Sequence, residues 1–368
     1  MKKLLILSSV FVAGMLSFSS CKKGSPKVDT TAGDTLHITL SRSSVEYNNF
    51  DYVAITVKNN AGEDVTANCT LLQNNTVAIS SKFVPTGIGT FTISAQRSSM
   101  ASETKTLTVV AKSPSPFTQK ILVEDCTGAW CGYCPRVAYQ LEQYKATHPN
   151  CISTTVHGGG GTDPYKFQYY TTFNSHYAVG GYPTAILNRK KQTSGGYDWS
   201  EDNADLDAAL RNWAPLGLAI SSSVSGNNVT GNVKVKFNVT TDKSMKVVIA
   251  LVENGLVYAQ TNYYSPAGGA TPYLYGGLDP IPNFVHNGVL RKTATDLFGD
   301  AINVSAQTKD NILDIPFNLT LTGNTASGTF TALPANCAIV AFVQDGSGLE
   351  KGVYNVQYAP LGSTVNFD

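Results

Sequence analysis

Between Leu36 and Ala111 apolar and polar residues alternate in short runs, as in Leu36–Leu40, Tyr52–Val57 and Thr90–Ser94. Period two places every second side chain on one face, so each run predicts a half-buried strand. Asn-Asn, Ala-Gly-Glu-Asp and Pro-Thr-Gly clusters separate the runs at turn positions, and strands at this spacing predict a β-sandwich over 36–111. Lys112-Ser-Pro-Ser-Pro116 follows as a stiff linker.

From Lys120 to about Trp213 strand and helix patterns take turns, which predicts an α/β unit over 118–214. Ile121–Val123 reads as a buried strand. Arg136 to Thr147 places Val137, Leu141 and Tyr144 on one helical face, with Pro135 at the first turn. Cys151–Val156 is a second strand, ending at His157 and a run of four glycines. Asp163-Pro164 reads as a helix start, Thr184–Leu187 as a strand, and Ser200 opens a helix with Leu206, Ala209, Leu210 and Trp213 in register. After Pro215 alternation returns, in Leu218–Val224, Val233–Val239, Lys246–Val252 and Cys337–Val343, and predicts a larger β-sandwich over 215–368. Within it Thr261 to Asn283, rich in Tyr, Gly and Pro, reads as a long surface loop.

The N-terminus changes the picture. Lys2 and Lys3 precede an apolar run from Leu4 to Phe18, too short to span a bilayer, so residues 1–20 read as a signal peptide. Ser19-Ser20-Cys21 resembles the processing box of bacterial lipoproteins, which implies a lipid on Cys21; residues 21–35 are then a polar tether. Lys plus Arg number 27 against 26 for Asp plus Glu, with no long run of like charge, and that balance removes a nucleic-acid partner from consideration. An exported chain meets an oxidising compartment, where Cys69, Cys126, Cys131, Cys134, Cys151 and Cys337 are permitted to form disulfides.

Only one cysteine spacing is diagnostic. Trp130-Cys131-Gly132-Tyr133-Cys134-Pro135 lies beyond a strand and at a helix start, where unsatisfied N–H groups and the positive end of the dipole favour thiolate. Three readings are open: an exchanging dithiol with Cys131 as attacker and Cys134 as resolver, a static staple, or a metal site joined by Cys126 and Cys151. No second ligand pair of zinc spacing is present, so no metal or cofactor is expected. His157, at a strand's C-terminal end, is either a groove residue or a structural histidine at the glycine turn.

The segment 118–214 resembles thioredoxin-like proteins, in Trp130 and the Cys131/Cys134 pair, in Asp125 six positions before Cys131, and in Gly181-Tyr182-Pro183-Thr184 before a strand. The resemblance implies that Asp125 moves the proton of Cys134 and that Pro183 is a cis-proline beside the disulfide. It makes Trp130, Tyr182, Thr184 and His157 the substrate groove. The 36–111 stretch resembles bacterial immunoglobulin-like modules. Glu124-Asp125-Cys126-Thr127-Gly128, the dithiol, Gly-Tyr-Pro-Thr and His286–Arg291 resemble Bacteroidota outer-membrane lipoproteins related to outer membrane protein twenty-eight, with Cys126 a departure from that pattern.

The expected fold class is multidomain α+β: an N-terminal immunoglobulin-like β-sandwich, a central thioredoxin-like α/β domain and a C-terminal β-sandwich. The expected function is thiol-disulfide exchange on envelope proteins by an outer-membrane lipoprotein. Lys22-Lys23 lacks the acidic pattern resembling surface-export signals, which favours a periplasm-facing anchor. The alternative is a binding or adhesion lipoprotein whose α/β part is a scaffold.

Overall fold

Two strands that are buried along almost their whole length, Met245–Glu253 and Cys337–Asp345, decide the architecture. Their apolar runs are continuous rather than alternating, because both faces are covered. In the computed structural model, which describes residues 35–190, 201–348 and 352–368, they lie in an eight-stranded mixed sheet. From one edge the order is Thr184–Leu187, Ile121–Thr127, Cys151–His157, Val289–Thr293, Met245–Glu253, Cys337–Asp345 and Val353–Pro360, with Asp300–Ile302 also pairing with Met245–Glu253. The expected signal peptide, Cys21, nearly all of the tether and Ser200 lie outside the described residues.

This sheet overturns the expected division into three parts. No separate central thioredoxin-like α/β domain is formed: the strands Ile121–Thr127, Cys151–His157 and Thr184–Leu187 are continuous with strands from the last third of the chain. The seam is parallel pairing of Thr155 with Val289, where Thr155 N donates to Gly288 O at 2.7 Å. The sheet also curls until Val353–Pro360 packs beside Ile121–Thr127. There Val353 N donates to Asn188 O (2.7 Å) and Lys120 N to the Asn355 side chain (3.0 Å). The protein is mostly β, with three α-helices among the described residues: α1 (Pro135–Thr147), α2 (Tyr170–His176) and α3 (Asn203–Leu210).

The two faces of the sheet are covered differently. On one, Leu122, Cys126, Val156, Ile186, Ala250 and Val340 share a core with Phe173 of α2 and Tyr177 at its C-terminal cap. On the other, Ile121, Val123 and Ala185 pack under Val137, Leu141 and Tyr144 of α1 and Leu206 of α3. Further along that face Val247, Ile249, Ile339 and Ala341 meet a four-stranded sheet of Ile312–Thr320, Asn228–Phe237, Leu216–Ser225 and Thr364–Val365. Asp202 caps α3, its side chain accepting from Ala204 N at 2.8 Å, and Trp213 lies beyond the helix. Asp163-Pro164 starts no helix; α2 begins at Tyr170.

Residues 36–111 form two further sheets over one core that includes Ile55, Val57, Ile93 and Leu107. The proline-containing connection is fastened at both ends: Ser113 donates to Glu46, Trp213 Nε1 donates to Ser113 O (2.8 Å), and Ser115 Oγ donates to Ala214 O (2.8 Å).

One buried ion pair spans the curl. Arg189 closes on Glu124 through two bonds of 2.7 Å, while its Nη1 donates to Gln344 Oε1 (3.2 Å) and Leu297 O (3.3 Å). Its guanidinium lies over the Phe342 ring at 4.6 Å. Arg189→Met leaves the Glu124 carboxylate buried without its cation, and should cost about 3–5 kcal/mol of unfolding free energy in urea titrations. Arg189→Met combined with Glu124→Leu should regain most of that loss.

Candidate active site

The strand Ile121–Thr127 runs out at Gly128, and the chain turns back before α1, with Cys131 N donating to Gly128 O (2.9 Å). Cys134 occupies the N-cap of α1 and Pro135 its first turn. Cys131 and Cys134 form a disulfide, with Cα atoms 5.4 Å apart. Cys69, Cys126, Cys151 and Cys337 are reduced thiols, and Cys126 is therefore no rival partner. Burial pushes the Cys151 thiol up to about 11 and the Cys337 thiol up to about 12, so neither is nucleophilic at neutral pH.

Neither sulfur residue of the disulfide is open to solvent: Cys131 is 4% and Cys134 1% exposed. The cover is the Tyr- and Gly-rich segment expected to be a surface loop. Thr261 N donates to Ala129 O (2.9 Å) and Tyr263 N to Gly132 O (2.8 Å), so the segment lies along the motif as an extended strap. Gln260 Nε2 donates to Cys131 O (2.9 Å) and Gly128 O (3.2 Å). The Tyr263 ring rests on Gly132, where a Cβ would come within 2.4 Å of it, and stands edge-on to Tyr133 at 5.0 Å. Asn262, fully buried, holds the strap's shape through bonds to the Leu274 and Leu278 carbonyls. Exchange needs direct approach of a second sulfur, so the strap has to lift before Cys131 reacts.

Behind Cys134 lies a cavity of about 560 Å³ between α1 and the strand Ile281–His286. Asp125 and His157, both expected site residues, line it together with Cys134, Gln260 and His286. They share a face because Asp125, Thr127, Thr155 and His157 point to the α1 side of their paired strands. His157 Nδ1 is 2.8 Å from Asp163 Oδ2, which also accepts from Ala129 N (2.8 Å), while Asp163 Oδ1 accepts from Tyr165 N (2.8 Å). Burial works against this carboxylate, yet the bonds from His157, Ala129 and Tyr165 hold its pKa below the usual range. Burial and the neighbouring His157 ring push His286 down to about 4, so it is neutral at pH 7.

The remaining expected residues lie elsewhere. Trp130 donates from Nε1 to Gly158 O (2.9 Å) and packs 5.8 Å from the Tyr182 ring. The glycine run exists for this contact, since a Cβ at Gly159 or Gly161 would meet the Trp130 ring at 2.2 Å. The Tyr182–Pro183 peptide is cis, and Thr184 pairs opposite Cys126. Trp130, Tyr182, Pro183 and Thr184 do not line the cavity behind Cys134. Sequence reading missed Asp163, taken for a helix start, and His286, given no role. It also missed Gln260 and Tyr263, whose partners lie more than a hundred residues away.

Residues 170–365 match the family described as outer membrane protein Omp28. The chain belongs to the Omp28 family. The matched span covers Pro183, the strap and His286 but begins after Cys131, Cys134 and His157. Omp28 membership places the chain in the outer membrane or envelope; among the described residues no helix is long and apolar enough to cross a membrane. Among solved structures, HBP35 of Porphyromonas gingivalis is similar at 17% identity and a TM-score of 0.49, over 67% of this chain and 76% of that one. The Yersinia pseudotuberculosis adhesin InvE aligns at 10% identity and a TM-score of 0.17, over 91% of this chain and 58% of its own. No curated protein matches.

Gly132→Ala sets a methyl group against the Tyr263 ring and should raise the rate at which dithiothreitol reduces the disulfide several-fold, measured by quenched alkylation and mass spectrometry. An unchanged rate would show that the strap does not limit access.

Proposed function

We propose that the chain is a lipid-anchored outer-membrane protein whose Cys131/Cys134 couple exchanges disulfides with other envelope proteins. The observation that carries this reading is the disulfide at the mouth of α1, with Cys134 and Asp125 lining one cavity. The helix N-terminus supplies unpaired N–H groups that favour thiolate at this end of α1. In the reduced protein the Cys131 thiolate attacks a substrate disulfide; one bond forms between the two sulfurs, and the other substrate sulfur leaves as thiolate and takes a proton. The Cys134 thiolate then attacks the Cys131 sulfur, releasing the second substrate thiol. The substrate gains two electrons, the protein disulfide is restored, and an envelope dithiol has to reduce it again. Asp125, on the wall beside Cys134, is the acceptor for the resolver's proton in this reading, and Pro183 with Trp130, Tyr182 and Thr184 forms the surface that receives the substrate chain.

The burial of both cysteines favours a second reading, in which the disulfide is a staple of a binding lipoprotein. The two readings separate on trapping. Cys134→Ser should accumulate mixed disulfides with envelope proteins that disappear on reduction, while Cys131→Ser should trap none and lose insulin reduction. If Cys134→Ser captures nothing, and the reduced wild-type dithiol resists alkylation even with Gly132→Ala in place, the staple reading stands.

The anchor follows from the apolar run ending at Ser19-Ser20-Cys21, with Cys21 carrying the lipid and the protein facing the periplasm. Cys21→Ala should release the chain from membranes or block its processing, and a mature N-terminus beyond Cys21 without lipid would refute the anchor.

A further inference from the structure

The cavity behind Cys134 has a wall that the exchange chemistry does not use. His157 is 1% and His286 4% exposed, and both rings line the same cavity. The Nε2 atom of each is buried without a hydrogen-bond partner. Buried polar atoms are almost always hydrogen-bonded, and two unpartnered nitrogens on adjoining rings point to a ligand that takes both.

The outer nitrogens explain which atoms are left for that ligand. His157 Nδ1 is fixed by Asp163 at 2.8 Å. The His286 Nε2 has no partner, and its ring stands edge-on to that of His157. Nδ1 of His157 is thus occupied, and Nε2 is the nitrogen left over on each ring. A carboxylate or a carbonyl on the far nitrogen is the arrangement that orients histidines toward metals. The ring centroids are 5.1 Å apart, close enough for both nitrogens to reach one ion at a metal–nitrogen distance of about 2 Å.

We propose that His157 and His286 bind one borderline transition-metal ion, copper foremost, through their Nε2 atoms, with Asp163 orienting the His157 ring. Neutral imidazole pairs select copper, zinc or nickel over magnesium or calcium, which need oxygen cages, and copper heads the affinity order for nitrogen donors. Among the described residues no group of three His, Cys, Asp or Glu side chains that could hold a metal is present, so the two imidazoles are the protein ligands of this proposal.

The test uses the full chain with its disulfide intact and with Cys21→Ser and Cys69→Ser, which remove thiols able to take or reduce copper. Cu(II) is added, and binding is followed by calorimetry and by electron paramagnetic resonance. One saturable equivalent with coupling to two imidazole nitrogens is expected. His157→Ala and His286→Ala should each weaken binding at least ~tenfold and remove one coupling, and Asp163→Asn should weaken it about 10- to 100-fold. His176→Ala, outside the cavity, should change nothing. If His157→Ala does not fold by circular dichroism, His286→Ala, on the two-stranded ribbon beside the main sheet, decides the matter. Absence of a saturable site, or couplings untouched by His286→Ala, overturns the proposal.

Discussion

The ion pair of Arg189 and Glu124 is the constraint on which the rest of the sheet depends. Taking two charges out of water is unfavourable, and a buried pair by itself is weak evidence of net stability. Its effect here is positional. Glu124 belongs to the Ile121–Thr127 strand, Gln344 to the Cys337–Asp345 strand, and Arg189 touches both with 2.7 Å and 3.2 Å bonds. Any flatter sheet would part these groups and leave at least one charge uncompensated. Phe173, Tyr177 and Phe342 surround the guanidinium, so water is not there to replace a lost partner. The same curl brings Lys120 to Asp368, whose carboxylate it meets at 2.6 Å, and ties the last residue to the start of the CxxC strand.

Local pattern carried the elements well and their partners hardly at all. Pro135 at the first turn of α1, with Val137, Leu141 and Tyr144 on one face, was legible because helical periodicity is a local property. Thr184–Leu187 was legible for the same reason. The pairing of Thr155 with Val289 joins residues more than a hundred positions apart, and nothing in alternation names a partner strand. One cue was present: Lys246–Val252 and Cys337–Val343 are continuous apolar runs, unlike Val233–Val239, and continuity means cover on both sides. A sandwich leaves its strands one wet face. These strands required a second layer, and α2 with Phe167 and the curled strand Ile121–Thr127 supplies it.

The site shows the same division. Cys134 and Asp125 line one cavity because strand, turn and helix start are consecutive in the chain. The strap was read as a surface loop from its Tyr, Gly and Pro content. Such composition describes a segment without a core of its own, and this one instead borrows partners, through Tyr263 on Gly132 and Gln260 on the Cys131 carbonyl. Gly132, inside the motif, is also the residue that lets the cover sit close. Asp163 was misread since Asp-Pro is a common helix start; its carboxylate instead joins Ala129, at the motif, to His157 on the neighbouring strand.

The cover of the disulfide and the imidazole wall are parts of one mechanical piece. Leu256–Gln260 pairs with Ile281–His286 as a two-stranded ribbon, with Leu256 opposite His286, and the strap is the connection between those strands. Gln260, the last residue of the first strand, bonds to the motif, and His286, the last residue of the second, faces His157 across 5.1 Å. Lifting the strap from Cys131 breaks the Gln260, Thr261 and Tyr263 bonds, which are the ribbon's attachments to the motif. At the other end the ribbon is fixed to the main sheet, Thr155 donating to Gly288 O (2.7 Å) and Asn287 O (3.2 Å), and Tyr165 Oη donates to Val257 O (3.1 Å). The imidazole pair thus lies at the ribbon's fixed end and the cover of the disulfide at its other end, so the two are joined by the length of the ribbon.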